Sequence, residues 1–144
     1  MRWNAPVLAL VSCLLLGPTH AGTGPVPDSG DAAAIRSVIE RQLQAFRADD
    51  APQAFSYASP AIQSIFKDPD TFMSMVRAGY QPVYRPREYE FRDLVALEGR
   101  WTQRVLVVGP DGVPVIAQYV MERQPDGSWR IDACVFERST ERTT

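Results

Sequence analysis

The chain has 144 residues, and its 15 basic and 17 acidic side chains give a formal net charge of −2 at pH 7. This balance lacks the excess of lysine and arginine by which proteins bind nucleic acid or anionic membranes, so we expect neither partner. A chain of this length is sufficient for one domain with its own hydrophobic core.

Residues 1–21 have the layout of a secretory signal peptide. Arg2 supplies a positive charge, an apolar run covers residues 5–16, and small residues lead up to Ala21. We predict cleavage after Ala21 and export to the periplasm or the medium. The apolar run is shorter than the roughly 20 residues that span a bilayer, which disfavours an uncut anchor. A lipoprotein signal at Cys13 is a second alternative, but leucines rather than a polar tether follow this cysteine.

Cleavage would change the chemistry available to the chain. It removes Arg2, Cys13 and His20, which lowers the net charge from −2 to −3 and leaves Cys134 as the single cysteine. An internal disulfide is then impossible, and histidine-based catalytic triads, general bases and metal sites are excluded. We therefore predict a domain without a metal or another cofactor.

The mature chain divides into three parts by composition. Residues 22–30 are rich in Gly, Pro and Ser and predict a linker, while residues 139–144 predict a polar tail. Residues 31–138 between them predict one α+β domain.

The first half of this domain carries signals for three or four short helices. Ser29 or Asp31 can cap the first helix, in which apolar residues recur at three- and four-residue steps. Acidic or hydroxyl residues followed by proline then mark helix starts near residues 50, 59 and 68, and Gly79 ends the last helix.

The second half changes to the patterns of β-strands. Residues 89–97, 101–108, 113–123 and 128–137 alternate in polarity or are continuously apolar. Pro-Asp-Gly sequences at 110–112 and 125–127 predict hairpin turns. We expect a four-stranded antiparallel sheet with the helices packed on one of its faces.

Three segments together resemble a known family: IRSVIERQLQAFRADDAPQAFSYASPAIQSIF, FMSMVRAGYQPVYRP and DGSWRIDACVF. They are similar to the bacterial domain-of-unknown-function family numbered 4864, over residues 32 to about 138. That family in turn resembles the cone-shaped superfamily named for nuclear transport factor 2. The resemblance implies helices on a curved sheet with a pocket between them. The superfamily includes isomerase-like and dehydratase-like enzymes as well as non-catalytic binding and dimerisation domains, and no catalytic motif transfers to this sequence.

Alternation along the last two strands predicts which residues face the helices. The inward set on the third strand comprises Val113, Val115, Ala117, Tyr119 and Met121. The inward set on the last strand comprises Trp129, Ile131, Ala133 and Val135, which turns Asp132, Cys134 and Phe136 outward.

Aromatic residues are the predicted lining of the pocket, because their amphipathic rings suit such a position. These are Tyr80, Tyr84, Tyr119 and Trp129. Two acids are weaker candidates for a catalytic role. Asp132 is expected to point outward with a structural role, and Asp93 shares the apolar side of its strand unless a bulge turns it out.

Two classes of function follow from these residues. We favour a non-catalytic domain that binds a small apolar ligand or a protein partner. The alternative is a small isomerase or lyase that uses a tyrosine and a carboxylate in the pocket, which would require a carboxylate inside the cavity.

The outward face of the sheet is also more apolar than a solvated face should be. It is predicted to include Ile116, Val120 and Phe136. We therefore predict a homodimer in which two copies cover each other through this face.

Overall fold

The structure is a computed structural model and describes residues 27–139. The predicted signal peptide, residues 22–26 of the predicted linker and residues 140–144 of the tail lie outside the described residues. Within the described part, five helices precede four strands, which confirms the α+β prediction. None of these helices is long and apolar enough to cross a membrane.

The helices are α1 (Ser29–Arg47), α2 (Ala51–Ser56), α3 (Pro60–Phe66), α4 (Pro69–Gly79) and α5 (Gln81–Tyr84). The side chains that cap α1 to α4 are Asp28, Asp50, Ser59 and Asp68, and each accepts a backbone N–H of the first turn. Asp28 rather than Ser29 or Asp31 is the first cap, and α1 consequently begins inside the predicted linker.

The strands are β1 (Glu88–Leu97), β2 (Arg100–Val108), β3 (Pro114–Arg123) and β4 (Trp129–Arg138). They form an antiparallel sheet in the order β1-β2-β3-β4, so that β1 and β4 are its edges. Their boundaries agree with the predicted segments to within a residue, because the Pro-Asp-Gly turns interrupt pairing where expected.

The core lies between the helices and one face of the sheet. The buried stripe of α1 includes Ile35, Ile39 and Leu43, and it belongs to one cluster with Val105 and Ala117 of the sheet. Helices α2, α3 and α4 add aromatic rings to this cluster, which comprise Phe55, Phe66 and Phe72. The helices therefore pack on the face of the sheet toward which the inward residues of β2 and β3 point.

A β-bulge interrupts β1. Phe91 pairs with Val105, but the next paired residue is Leu94, opposite Gln103. The buried Gln103 amide donates to the carbonyl groups of the two intervening residues, at 2.9 and 3.2 Å, and stabilises the irregularity. The predicted alternation across residues 89–97 is therefore wrong beyond Phe91, and Asp93 is turned outward.

A second bulge lies in β4. Ile131 pairs with Met121 and Ala133 pairs with Val120, so Asp132 falls between two consecutive pairs. The extra residue exchanges the faces of all the residues that follow, because side chains alternate along a strand.

This exchange corrects the predicted orientation of the last strand. Cys134 pairs with the inward Tyr119, and Phe136 pairs with the inward Ala117, so both belong to the helix-covered face. Val135 pairs with Gln118 and is 55% exposed. The assignment of Cys134 and Phe136 to the outer face, and of Ala133 and Val135 to the core, is wrong, whereas Tyr119 and Trp129 are buried as predicted. The inward assignment of Val113 is also wrong, because this residue precedes β3 and is exposed.

Candidate functional site: an apolar cavity beside the edge strand

A cavity of about 510 Å³ lies between the helices and the end of the sheet formed by β4. It starts where the bulge at Asp132 lies in β4. Before the bulge, residues 57–59 pair with the free edge of the strand, since Ser59 N–H donates to the Ile131 carbonyl at 2.8 Å. The chain then turns into α3, and residues 131–135 form the opposite wall of the cavity.

The walls are predominantly apolar. From the helices and the segments that join them they comprise Phe46, Ala58, Ile62, Ile65, Phe66, Phe72, Met75, Val76, Tyr80 and Val83. Gln42 of α1, Tyr119 of β3 and residues 131–135 of β4 complete the lining. Among the described residues, Asp132 is the only carboxylate, and no lysine or arginine lines the cavity. A cavity of this size and composition suits a small ligand with little charge.

Two exposed hydrophobic residues mark the mouth of the cavity. Ile65 of α3 is 67% exposed and Val135 of β4 is 55% exposed, and both line the cavity. Single exposed hydrophobic residues are common, but a pair beside an open apolar cavity extends its surface toward solvent. A hydrophobic ligand would contact both residues when it enters.

Two polar contacts hold the Asp132 side chain in place at the edge of the cavity. Its carboxylate accepts a hydrogen bond of 2.6 Å from the Ser59 hydroxyl and forms an ion pair with Arg100 at 2.5 Å. The hydrogen bond from Ser59 and the interaction with Arg100 lower the pKa of Asp132 against the opposing effect of burial. The carboxylate is therefore ionised at neutral pH, and its contacts join β4 to the start of α3.

Tyr119 has a polar atom deep in this apolar environment. The residue is 1% exposed, and within the described part of the chain its hydroxyl has no hydrogen-bond partner. The Cys134 thiol lies beside it without forming a hydrogen bond of ordinary geometry. Burial raises the pKa of Tyr119 well above its usual value and raises the pKa of Cys134 from 9.0 to about 12. Both groups are consequently protonated at neutral pH.

The predicted pocket residues divide into two pairs. Tyr80 and Tyr119 line the cavity. Tyr84 instead donates its hydroxyl hydrogen bond to Asp49 and stacks under the Arg85 guanidinium, 3.9 Å from the ring centroid. These contacts connect the segment after α1 to the segment that precedes β1.

Trp129 lies near a separate recess of about 410 Å³ at the other end of β4. Its indole N–H donates to the Asp31 carboxylate at 3.2 Å, and the Arg123 guanidinium lies 4.9 Å from the ring centroid. Arg123 also forms an ion pair with Asp31. Because these groups already occupy its polar edge and one face, Trp129 is a structural residue here.

The two predicted acids are also separated. Asp93 is about half exposed and forms an ion pair of 3.2 Å with Arg104 on the outer face of the sheet. Asp132 alone borders the cavity. Within residues 27–139, no group of three or more His, Cys, Asp or Glu side chains is arranged to hold a metal ion.

Sequence reasoning missed the contributions of α3 and of Cys134. None of the seven residues of α3 is buried, and Ile65 is largely exposed. This exposure becomes visible only in the tertiary structure. Cys134 was missed because no pattern in the sequence marks the bulge two residues before it.

The outer face of the sheet remains partly apolar after the correction. It carries Leu106, Ile116 and Val120, now with Val135 in place of Phe136. Arg104 crosses this face with ion pairs to Asp93 and, at 2.7 Å, to Glu137.

The homodimer stays a prediction, and the change that tests it is Val120→Glu. We expect light scattering at tens of micromolar to give twice the mass of one chain, and the variant to give the mass of one chain, because a buried, unpaired carboxylate opposes association. Val113→Glu is the matched control, since Val113 is 54% exposed in the turn before β3. A monomeric wild-type protein, or a dimeric Val120→Glu variant, would contradict the prediction.

Fold and cavity together define a small α+β domain with a ligand-sized apolar cavity between its helices and an edge strand. The family model described as Domain of unknown function (DUF4864) matches residues 28–144, and the chain belongs to this family. No curated protein matched the chain. No solved structure matched it either.

Proposed function

We propose that this protein is an exported, non-catalytic domain that binds a small apolar ligand in the cavity beside β4. The observation that carries the proposal is the open cavity of about 510 Å³ with predominantly apolar walls. Pockets that bind small molecules have this combination of volume, apolar lining and few polar groups.

The hydrophobic effect supports this function energetically. Moving apolar surface from water into the cavity contributes about 25 cal/mol per Å², and a largely preformed cavity reduces the ordering cost that binding must overcome. The exposed side chains of Ile65 and Val135 would be covered in part by the bound molecule.

The alternative is an isomerase or lyase that uses Tyr119 and a carboxylate. General acid–base catalysis works best when the pKa of the group lies near the working pH. Here the pKa of Tyr119 is raised and the pKa of Asp132 is lowered, so each group keeps one protonation state around neutrality. Asp132 is also engaged by Ser59 and Arg100. These observations favour binding over catalysis.

We also propose membership of the cone-shaped superfamily named for nuclear transport factor 2. Helices on one face of a four-stranded sheet, with a cavity between them, support the assignment. The proposal concerns the fold, since superfamily membership alone does not identify a function.

Native mass spectrometry of protein recovered from a bacterial periplasm tests export and binding together. We expect a chain that begins at Gly22, with an added small-molecule mass that disappears on denaturation. In Met75→Trp the indole ring, which is larger than the methionine side chain, enters the cavity from α4. We expect the fraction of protein that carries the ligand to fall about tenfold.

The matched control is Val113→Trp, which introduces the same ring at an exposed position away from the cavity lining. It should retain the added mass of the wild-type protein. Equal occupancy in both variants would show that the molecule binds elsewhere. A chain that still begins at Met1 would contradict the predicted cleavage.

A further inference from the structure

The Tyr119 hydroxyl is the feature of the cavity that an apolar ligand by itself does not explain. A buried hydroxyl without a hydrogen bond is destabilising relative to one that is satisfied. Phenylalanine would fill nearly the same space without this cost. The tyrosine is 1% exposed, lines the cavity, and is unpartnered within residues 27–139.

The state of this hydroxyl determines what could satisfy it. Because burial raises the pKa of Tyr119, the hydroxyl keeps its proton and can donate a hydrogen bond. The adjacent Cys134 sulfur is a weak acceptor and does not replace an oxygen. A ligand atom with a lone pair would accept the hydrogen bond.

The charges around the cavity restrict the ligand further. No lysine or arginine is among its described lining residues, and the one carboxylate, Asp132, is ionised and already paired with Arg100. An anionic ligand would lose its hydration without gaining a counter-ion. A cationic group would have to compete with Arg100 for the carboxylate. The environment therefore favours a neutral ligand.

We propose that Tyr119 orients the ligand as a hydrogen-bond donor, and that the ligand is a neutral, mostly apolar molecule with one acceptor oxygen at its inner end. Ketones, esters and amides have the required carbonyl oxygen, while the apolar remainder of the molecule extends toward Ile65 and Val135. This inference rests on the proposed function, since it names the chemical class that the cavity binds.

Three probes of similar shape test the proposal by fluorescence titration: naphthyl methyl ketone, isopropylnaphthalene and naphthoate. The first has an acceptor oxygen, the second is its hydrocarbon counterpart, and the third carries a negative charge. We expect the wild-type protein to bind the ketone about fivefold to tenfold more tightly than the hydrocarbon, as one buried hydrogen bond provides. Naphthoate should bind more weakly than the ketone by at least about tenfold.

Tyr119→Phe should abolish the preference for the ketone and leave the affinity for the hydrocarbon unchanged or higher. Tyr89→Phe is the matched control, because Tyr89 lies on β1 and does not line the cavity. This control should keep the wild-type preference. A second readout needs no variant: the infrared carbonyl stretch of the bound ketone should move to lower frequency than in an apolar solvent.

The outcomes separate the two proposals. If the wild-type protein binds ketone and hydrocarbon with the same affinity and the carbonyl stretch does not move, the cavity binds ligands but Tyr119 does not orient them. This result would overturn the present inference and leave the proposed function standing. If none of the three probes binds, both proposals fail.

Discussion

Replacing Trp129 by alanine is expected to lower the free energy of unfolding by about 3–5 kcal/mol, the range for large aromatic residues cut to alanine in a core. Trp129 is 7% exposed and belongs to the main hydrophobic cluster. The change also removes the hydrogen bond to Asp31 and the indole ring against which the Arg123 guanidinium packs. Trp129 thereby ties the start of α1 to β3 and β4.

Denaturant titration followed by circular dichroism measures the effect. Trp101→Ala provides the matched control, since Trp101 on β2 is only partly buried and its loss should cost less than the loss of Trp129. A loss below about 1 kcal/mol for Trp129→Ala would contradict the burial of this ring.

Phe136→Glu is expected to lower the free energy of unfolding by about 2–3 kcal/mol, because it places a charge on the helix-covered face of the sheet. Phe136 packs against the core, with its ring centroid 5.3 Å from that of Tyr80. The same change in the neighbouring Val135 is expected to alter stability by less than about 0.5 kcal/mol, since Val135 is largely exposed on the other face.

This pair of variants tests the bulge at Asp132 directly. Simple alternation from Trp129 predicts the reverse order, with Val135→Glu destabilising and Phe136→Glu tolerated. Thermal or denaturant unfolding at one low protein concentration distinguishes the two orders without a contribution from association. The reverse order would show that β4 continues past Asp132 without an extra residue.

The candidate site was only partly predictable from residue type. Tyr80, Tyr84, Tyr119 and Trp129 all have the amphipathic rings of pocket residues, yet two line the cavity and two do not. The difference lies in their tertiary partners: Tyr84 meets Asp49 and Arg85, and Trp129 meets Asp31 and Arg123. Partners that lie as far as 98 residues away in the chain leave no local pattern in the sequence.

Local patterns along the chain predict the fold class, the order of helices and strands, and most of their ends. These features depend on local chemistry: capping side chains such as Asp50, Ser59 and Asp68 satisfy N–H groups of the next turn, and Pro-Asp-Gly sequences form turns without distant help. Which residues face the cavity depends instead on contacts between distant segments of the chain. Bulges at residues 92–93 and at Asp132 depend on contacts from other elements, the Gln103 amide in the first case and Ser59 with Arg100 in the second. One extra residue reverses every later side chain, and Cys134 thereby comes to lie beside Tyr119 in the cavity wall.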